Sequence, residues 1–193
     1  MRCVVYFDGA CEPFNPGGLG TYGYAIYDEA GRRLARGYGV ACHGDGCTNN
    51  VAEYTALREA LKKALELGCA EVSIKGDSQL VVKQMRGEWG VNSLRLLNLK
   101  EEVEGLLGRF AKWEIEWIPR EENREADGLS RIAYEQHAAE YGYGDDEGWA
   151  QALLGELRRA AQRDGLDAAE AARILVELLR RYRLDELKEL AAD

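Results

Sequence analysis

Hydrophobic and polar positions in the first 40 residues predict three successive strands. Residues 3–7 are apolar on both faces, which is typical of a buried central strand. Asp8 follows where the strand is expected to leave the sheet, and Gly9 would let the backbone bend there. Residues 12–20 are rich in proline and glycine and predict a tight loop. Residues 21–27 and 32–40 carry aromatic and β-branched side chains around a short polar turn, so we expect three antiparallel strands.

Helical spacing of apolar residues begins after residue 48. Tyr54, Leu57, Leu61 and Leu65 recur on one helical face before Gly68. The same reasoning predicts helices at 78–86, 94–110 and 123–140, and strands at 72–77 and 113–118. A strand–helix–strand crossover implies parallel pairing. The order predicts an α/β fold with a five-stranded mixed sheet, three antiparallel strands followed by two parallel ones, flanked by helices.

The last quarter of the chain predicts a separate helical segment. Residues 141–146 are rich in glycine and tyrosine and predict a linker after a domain of residues 1–140. Helical patterns follow at 147–163, 167–182 and 185–192, with one apolar face and no catalytic constellation. We expect residues 147–193 to form a helical appendage that either packs on the domain or mediates self-association.

Charge and composition restrict the classes of function. The formal net charge of −9 excludes a basic nucleic-acid binder by bulk charge, so an anionic partner must be met by local arginines, backbone donors or metal ions. No apolar run approaches the length of a membrane span, and the amino terminus lacks a secretory pattern. These features predict a cytoplasmic protein without a membrane partner.

Five cysteines with irregular spacing argue against a full disulfide framework. Cys42 and Cys47 flank His43 in a glycine-rich loop, which invites a zinc interpretation. A single Cys-x4-Cys pair is a weak zinc signal. Free thiols or one loop disulfide are therefore the favoured expectation.

Four carboxylates occur at the predicted edges of strands and helices: Asp8, Glu53, Asp77 and Asp127. Each has an ordinary structural explanation. Glu53 has capping-box spacing from Asn50, Asp77 is positioned to cap the next helix, and Asp127 is four residues from Arg131. Taken together they predict more. Asp8 and Asp77 would end side by side on adjacent parallel strands, and like charges so close require cations.

Clustered carboxylate oxygens suit hard octahedral cations such as Mg²⁺ or Mn²⁺. Two such ions about 4 Å apart activate water and stabilise a leaving oxygen in phosphodiester cleavage. Five ordered motifs in the chain fit this chemistry: Tyr6-Phe7-Asp8-Gly9-Ala10, Asn15-Pro16-Gly17-Gly18, Thr48-Asn49-Asn50-Val51-Ala52-Glu53, Gly76-Asp77-Ser78-Gln79 and Glu122-Asn123-Arg124-Glu125-Ala126-Asp127. With these motifs the chain resembles a type 1 ribonuclease H over about residues 1–135.

The resemblance implies a ribonuclease H-like fold and a function. Asp8, Glu53, Asp77 and Asp127 would be the metal-binding catalytic acids, holding two Mg²⁺ ions with Mn²⁺ as a substitute. The reaction would hydrolyse the RNA strand of an RNA–DNA hybrid and leave 5′-phosphate and 3′-hydroxyl ends. The matched substrate-binding positions are Gly9, Ala10, Cys11, Asn15, Asn49, Asn50, Ser78 and Gln79. Amide side chains among them suit the 2′-hydroxyl, which distinguishes RNA from DNA.

The chain departs from the family pattern in two places, and the first of them resembles archaeal-type members. The loop before Asp127 has no histidine, and Arg120 is the residue expected to act there on phosphate charge or product release, because arginine is not a base near neutral pH. The segment of residues 87–98 is shorter than the basic helical protrusion that many family members have there, and Arg95 is its only basic residue. We therefore expect weaker or differently placed contact with the DNA strand. The resemblance to archaeal-type members also implies double-stranded RNA as a further candidate substrate.

Two other classes of function share this fold. A non-catalytic module that binds RNA–DNA hybrids or RNA would not need four clustered acids. A nuclease or integrase acting on DNA would have no use for residues that read a 2′-hydroxyl. The sequence therefore favours the nuclease specific for RNA in hybrids.

Overall fold

The computed structural model describes residues 1–165 and 167–181. Its centre is one five-stranded sheet in the order β3-β2-β1-β4-β5. The strands are β1 (Arg2–Glu12), β2 (Gly17–Asp28), β3 (Arg33–Gly44), β4 (Glu71–Gly76) and β5 (Lys112–Trp117). β1–β2 and β2–β3 pair antiparallel, whereas β1–β4 and β4–β5 pair parallel. The predicted mixed α/β sheet is confirmed.

Six α-helices accompany this sheet in the described residues. They are α1 (Asn49–Glu66), α2 (Gln79–Met85), α3 (Leu94–Leu107), α4 (Arg124–His137), α5 (Asp146–Asp164) and α6 (Ala168–Arg181). Two 3₁₀ turns, at Arg120–Glu122 and Ala138–Tyr141, flank α4. The helix predicted at 185–192 lies outside the described residues. Among the helices that are described, none has the length and apolar character needed to cross a membrane.

Helix α1 forms the main contact between the sheet and its helical layer. Its first turn is capped by Thr48, whose Oγ1 accepts a hydrogen bond from the Val51 amide at 3.2 Å. Tyr54, Leu57 and Leu61 recur on the buried face and are fully inaccessible to solvent. The Tyr54 hydroxyl donates to Gln84 Oε1 at 2.8 Å, so this buried polar group is satisfied.

The first three strands are longer than the residue pattern predicts. The expected loop at 12–20 is reduced to the turn between β1 and β2, and β3 continues four residues past Val40. Glycines interrupt the run of β-branched and aromatic residues, but Gly20 and Gly23 still pair with β3. Gly18 lies at a register shift between β2 and β3, where a Cβ would lie 2.5 Å from the Phe14 carbonyl oxygen, so glycine is required there. The tight loop is therefore present, but it is shorter than the predicted range of 12–20, because β1 ends at Glu12 and β2 begins at Gly17.

Two disulfides are present, Cys42–Cys47 and Cys3–Cys69. The first is the loop disulfide that was one of the favoured expectations. The second was not predicted, because its cysteines are 66 residues apart in sequence. The fold brings them together, since Cys3 in β1 pairs with Val72 in β4. The fifth cysteine, Cys11, is buried, with Sγ 3.0 Å from the Phe14 carbonyl oxygen and 3.7 Å from Cys47 Sγ.

Helix α5 packs against loops of the sheet domain. Trp149 is 2% exposed, and its ring centroid lies 5.7 Å from that of Phe14, in the turn between β1 and β2. Further along the helix, Arg159 Nε lies 3.4 Å from Asp45 Oδ1, just after β3. Of the two arrangements expected for the C-terminal helices, the described residues show packing on the domain.

Candidate active site

The parallel pairing of β1 with β4 brings two of the predicted acids to one edge. The last residue pair of this ladder is Phe7 with Gly76, so Asp8 and Asp77 follow side by side. The sequence predicted that β1 leaves the sheet at Asp8, and this was wrong. β1 continues to Glu12 and pairs Asp8 with Gly23 of β2. The carboxyl end of the parallel ladder, rather than the end of the strand, therefore locates the site.

The third acid reaches this edge because α1 lies directly against β1. Glu53 belongs to the buried face of α1. A Cβ on Gly9 would lie 2.4 Å from the Glu53 amide nitrogen and 2.3 Å from the Ala52 carbonyl carbon. Gly9 therefore permits the close contact between helix and strand that positions Glu53. The expectation that Gly9 bends the backbone was wrong, since it continues the β1–β2 ladder.

Asp8, Glu53 and Asp77 form a compact cluster of carboxylates. One oxygen from each lies within 4.8 Å of the others. Asp8 and Glu53 are only 6% and 8% exposed. Glu53 Oε2 is buried and has no hydrogen-bond partner among the residues that the structure describes. A buried carboxylate oxygen without a donor costs free energy unless a cation meets it.

Electrostatics in the cluster oppose ionisation. Burial, and then the charge of Asp77, raise the pKa of Asp8 to about 6. Burial, and then the charges of Asp8 and Asp77, raise the pKa of Glu53 well above its ordinary value. A divalent cation would reverse both effects by stabilising the charged forms. The oxygen donors, their spacing and the orphaned Glu53 oxygen fit a hard divalent ion such as Mg²⁺ or Mn²⁺.

Two polar residues that sequence reasoning missed hold the clustered acids in place. Asn123 is 1% exposed, and its Nδ2 donates to Asp77 Oδ1 at 2.6 Å and to the Phe7 carbonyl oxygen at 2.8 Å. Ser130 is also 1% exposed, and its Oγ donates to Asp8 Oδ2 at 2.8 Å. Both flank Asp127 on α4 or at its start. The signal in the sequence that could have identified them is their position, four residues before and three residues after Asp127.

Asp127 lies apart from the three clustered acids. Its Oδ1 accepts from Arg120 Nη2 at 2.8 Å and from Nε at 3.2 Å, and its Oδ2 is 3.2 Å from Arg131 Nε. The predicted pairing with Arg131 is therefore present. Arg120, which was expected to act on phosphate charge, contacts a predicted catalytic acid. The charges of Asp127 and Arg120 both reach Asp8, the first raising and the second lowering its pKa.

Three of the eight predicted substrate-binding residues form one hydrogen-bonded group between the end of β1, the turn that follows it and the start of α1. The Cys11 amide donates to Asn49 Oδ1 at 2.6 Å, and the Asn49 amide donates to Asn15 Oδ1 at 3.0 Å. Asn49 and Asn15 are exposed. Thr48 rather than Asn50 caps α1, so the capping box predicted between Asn50 and Glu53 is absent.

The remaining predicted substrate positions lie around the acids. Gly9 and Ala10 follow Asp8 in β1. Ser78 follows Asp77, and its Oγ accepts from the Val81 amide at 3.3 Å as the N-cap of α2. Gln79 is exposed in the first turn of α2, and Asn50 is partly exposed in α1. These positions therefore lie next to Asp8, next to Asp77, or in the first turn of the helix that carries Glu53.

Comparison with known proteins agrees with this geometry. The Reverse transcriptase-like family model matches residues 6–133. Ribonuclease HI of Halobacterium salinarum is 38% identical over 135 residues, which cover 68% of this chain and 64% of that protein. Bifunctional protein Rv2228c of Mycobacterium tuberculosis is 36% identical over 146 residues, or 72% of this chain. The chain spans about 37% of the length of that second relative.

Solved structures show the same similarity in three dimensions. The N-terminal RNase H domain of Rv2228c from Mycobacterium tuberculosis superposes with a TM-score of 0.68 and 34% identity, covering 72% of this chain and 98% of that one. LC11-RNase H1 in complex with an RNA/DNA hybrid gives a TM-score of 0.65 and 30% identity, covering 70% and 99%. The fold, the carboxylate cluster and these matches together identify the chain as a member of the type 1 ribonuclease H family.

Proposed function

We propose that this protein is a metal-dependent endoribonuclease that hydrolyses the RNA strand of RNA–DNA hybrids and leaves 5′-phosphate and 3′-hydroxyl ends. The observation that carries the proposal is the cluster of buried Asp8 and Glu53 with the partly buried Asp77 at the carboxyl end of the β1–β4 ladder. The solved complex of the related LC11-RNase H1 with an RNA/DNA hybrid supports the choice of substrate.

Asp8, Glu53 and Asp77 would hold divalent ions, and Asp127 would be the fourth metal-binding acid. We propose two Mg²⁺ ions, with Mn²⁺ as a substitute. When bound, such ions supply an activated water and neutralise charge on the phosphate that is cleaved. The orphaned Glu53 oxygen and the raised pKa values of Asp8 and Glu53 support this assignment, since a cation removes both penalties.

The other residues around the cluster have positioning roles in this proposal. Asn123 orients Asp77 and ties it to the end of the β1–β4 ladder, while Ser130 orients Asp8. Arg120 keeps its positive charge at any working pH and acts on phosphate charge or product release. Its contact with Asp127 places the guanidinium beside the proposed metal ligands.

The substrate would be recognised by amides and backbone on both sides of the acids. Asn49, Asn50 and Gln79 can donate to and accept from a 2′-hydroxyl. The backbone of residues 9–11, together with Asn15 and Ser78, completes the proposed RNA-binding surface. The bonds from Cys11 to Asn49 and from Asn49 to Asn15 support it, because they fix the two loops relative to each other.

The test is cleavage of four labelled duplexes with Mg²⁺, Mn²⁺ or EDTA: RNA–DNA, RNA–RNA, DNA–DNA, and DNA containing one ribonucleotide. Cleavage of the hybrid should require metal and fall by on the order of 10³-fold in Asp8→Asn and Asp77→Asn. Asp28→Asn is the matched control, because Asp28 is a buried carboxylate outside the cluster. Hybrid binding without cleavage under any metal would favour the non-catalytic module. The RNA–RNA duplex tests the wider archaeal-type specificity.

We also propose the domain boundaries expected from the sequence: a ribonuclease H domain of residues 1–140, a linker at 141–146 and a helical appendage from 147. The family match ends at residue 133, which supports a catalytic unit that stops before α5. A chain ending at Glu140 should keep its kcat, although loss of Trp149 uncovers Phe14 and lowers the melting temperature. A folded truncated chain that cannot cut would contradict these boundaries.

A further inference from the structure

Helix α5 runs alongside the two loops that carry Asn15 and Asn49. Its Trp149 packs on Phe14, next to Asn15, and its Arg159 contacts Asp45, four residues before Asn49. Trp149 and Arg159 are separated by ten positions, or about 15 Å of helix. The two loops are themselves joined by a hydrogen bond from the Gly17 amide to the Cys47 carbonyl oxygen at 2.9 Å. One side of α5 thus continues the surface formed by these loops.

Three arginines lie close to the loop after β3, where α5 contacts it. Arg159, Gln162 and Arg163 of α5 line a pocket of about 380 Å³ together with Asp45 and Gly46. Arg95, in the first turn of α3, places Nη1 3.5 Å from the Asp45 carbonyl oxygen. We refer to Arg95, Arg159 and Arg163 as the arginine patch. Arg159 pairs with the Asp45 carboxylate, Arg95 contacts the Asp45 carbonyl oxygen, and Arg163 lines the same pocket. Three guanidinium groups thus accompany the one carboxylate that lines this pocket, so the patch is positive on a chain whose net charge is −9.

We propose that the arginine patch is a second nucleic-acid contact, which binds backbone phosphates of the duplex beyond the RNA-reading residues. Phosphate oxygens suit guanidinium groups, which bind them with paired hydrogen bonds. The loop that supplies Asp45 and Gly46 leads within three residues to Asn49, so a duplex lying on Asn49 and Asn15 passes the patch. This inference rests on the proposed function.

The individual arginines differ in what else they do. Arg159 is tied to Asp45 and holds α5 against the loop. Arg163 is exposed in the last turn of α5, and Arg95 is exposed at the start of α3. If Arg163 only stabilised the C-terminal end of α5 through the helix dipole, its removal would change the free energy of unfolding by less than about 1 kcal/mol. Such an effect would not depend on the substrate. Arg163 and Arg95 are therefore the informative positions.

The experiment measures hybrid cleavage by the full chain between 50 and 200 mM KCl, with hybrid binding in EDTA measured by fluorescence anisotropy. Arg163→Ala should raise KM by roughly 3- to 10-fold at unchanged kcat, and Arg95→Ala/Arg163→Ala by more. The slope of log(kcat/KM) against log[salt] should become shallower by about one for each phosphate that the variant no longer binds. Arg163→Lys should restore most of the salt dependence.

The matched control is Arg173→Ala, an exposed arginine of α6 that does not line the pocket. It should leave KM and the salt slope unchanged. If the wild-type chain cuts hybrids and the Arg163 and Arg95 variants match it in KM and slope, the patch proposal is overturned while the nuclease stands. If the wild-type chain cuts nothing, the proposed function fails, and the anisotropy slopes in EDTA still decide whether the arginines contact the duplex.

Discussion

Asp8 and Asp28 are buried carboxylates of the same β1–β2 ladder, Asp28 in its first residue pair and Asp8 near its middle, yet their surroundings differ. Asp28 pairs across from Cys3 and accepts hydrogen bonds from the Arg32 amide at 2.9 Å and the Arg32 guanidinium at 2.8 Å. Within the described part of the chain, the Asp8 carboxylate has one hydrogen-bond donor, the Ser130 hydroxyl, and two carboxylate neighbours. Hydrogen bonds from Arg32 lower the pKa of Asp28, whereas burial raises that of Asp8. Burial alone therefore does not identify a site, but burial without sufficient donors does.

The largest expected effect that sharpens this comparison is on stability without metal. The pKa of Asp8 is about 6 in the folded protein, so the folded state binds more protons than the unfolded state between about pH 4 and 6. Stability in EDTA should therefore fall as the pH rises through this range, by about 3 kcal/mol for Asp8 at pH 7. Asp8→Asn should remove that loss, as measured by urea unfolding at pH 4.5 and 7.

Asp28→Asn is the matched variant with the opposite sign. The lowered pKa of Asp28 means that its contribution to stability is present at neutral pH and is lost as the pH falls through that lowered pKa. This variant should be less stable than the wild type at pH 7 while keeping hybrid cleavage. Equal responses of the two variants to pH would show that their environments do not differ as described.

A smaller effect is expected where β1 meets α1. Gly9→Ala would place a methyl group 2.4 Å from the Glu53 amide nitrogen and push α1 away from Asp8. We expect a loss of about 2 kcal/mol in stability together with weaker metal binding. Gly105→Ala is the control, because a Cβ there meets nothing within 4 Å, and in helix α3 it should stabilise by about 0.5–1 kcal/mol. Calorimetry with and without Mg²⁺ separates the two effects.

The smallest effect concerns Ser130, which donates a hydrogen bond to Asp8. Ser130→Ala removes the 2.8 Å hydrogen bond to Asp8 Oδ2, which is worth about 1 kcal/mol. The Mg²⁺ concentration for half-maximal cleavage should rise roughly 5-fold, with kcat at saturating Mg²⁺ changed less. Ser93→Ala removes the N-cap of α3 and should cost stability without altering the Mg²⁺ requirement. If the Mg²⁺ requirement rose equally in both variants, Ser130 would have no specific role in metal binding.

The sequence predicted the mixed sheet, the helices and the identity of the clustered acids because periodicity and ordered motifs encode them directly. It did not predict that β1 continues past Asp8, because the ladder depends on β2 as a partner rather than on local residue preference. Asn123 and Ser130 were missed for a similar reason, since their hydrogen bonds span 46 and 122 residues. The Cys3–Cys69 bond likewise depends on the parallel alignment of β1 with β4.

The pairing of Phe7 with Gly76 also determines when the protein can acquire its chemistry during synthesis. Asp8 is synthesised before β4, which brings Asp77 beside it and is made more than 60 residues later. Asn123, which holds Asp77, follows later still. A nascent chain that lacks these segments has no assembled acidic cluster, so the growing polypeptide is expected to stay inert toward nucleic acids around it until most of the domain is complete.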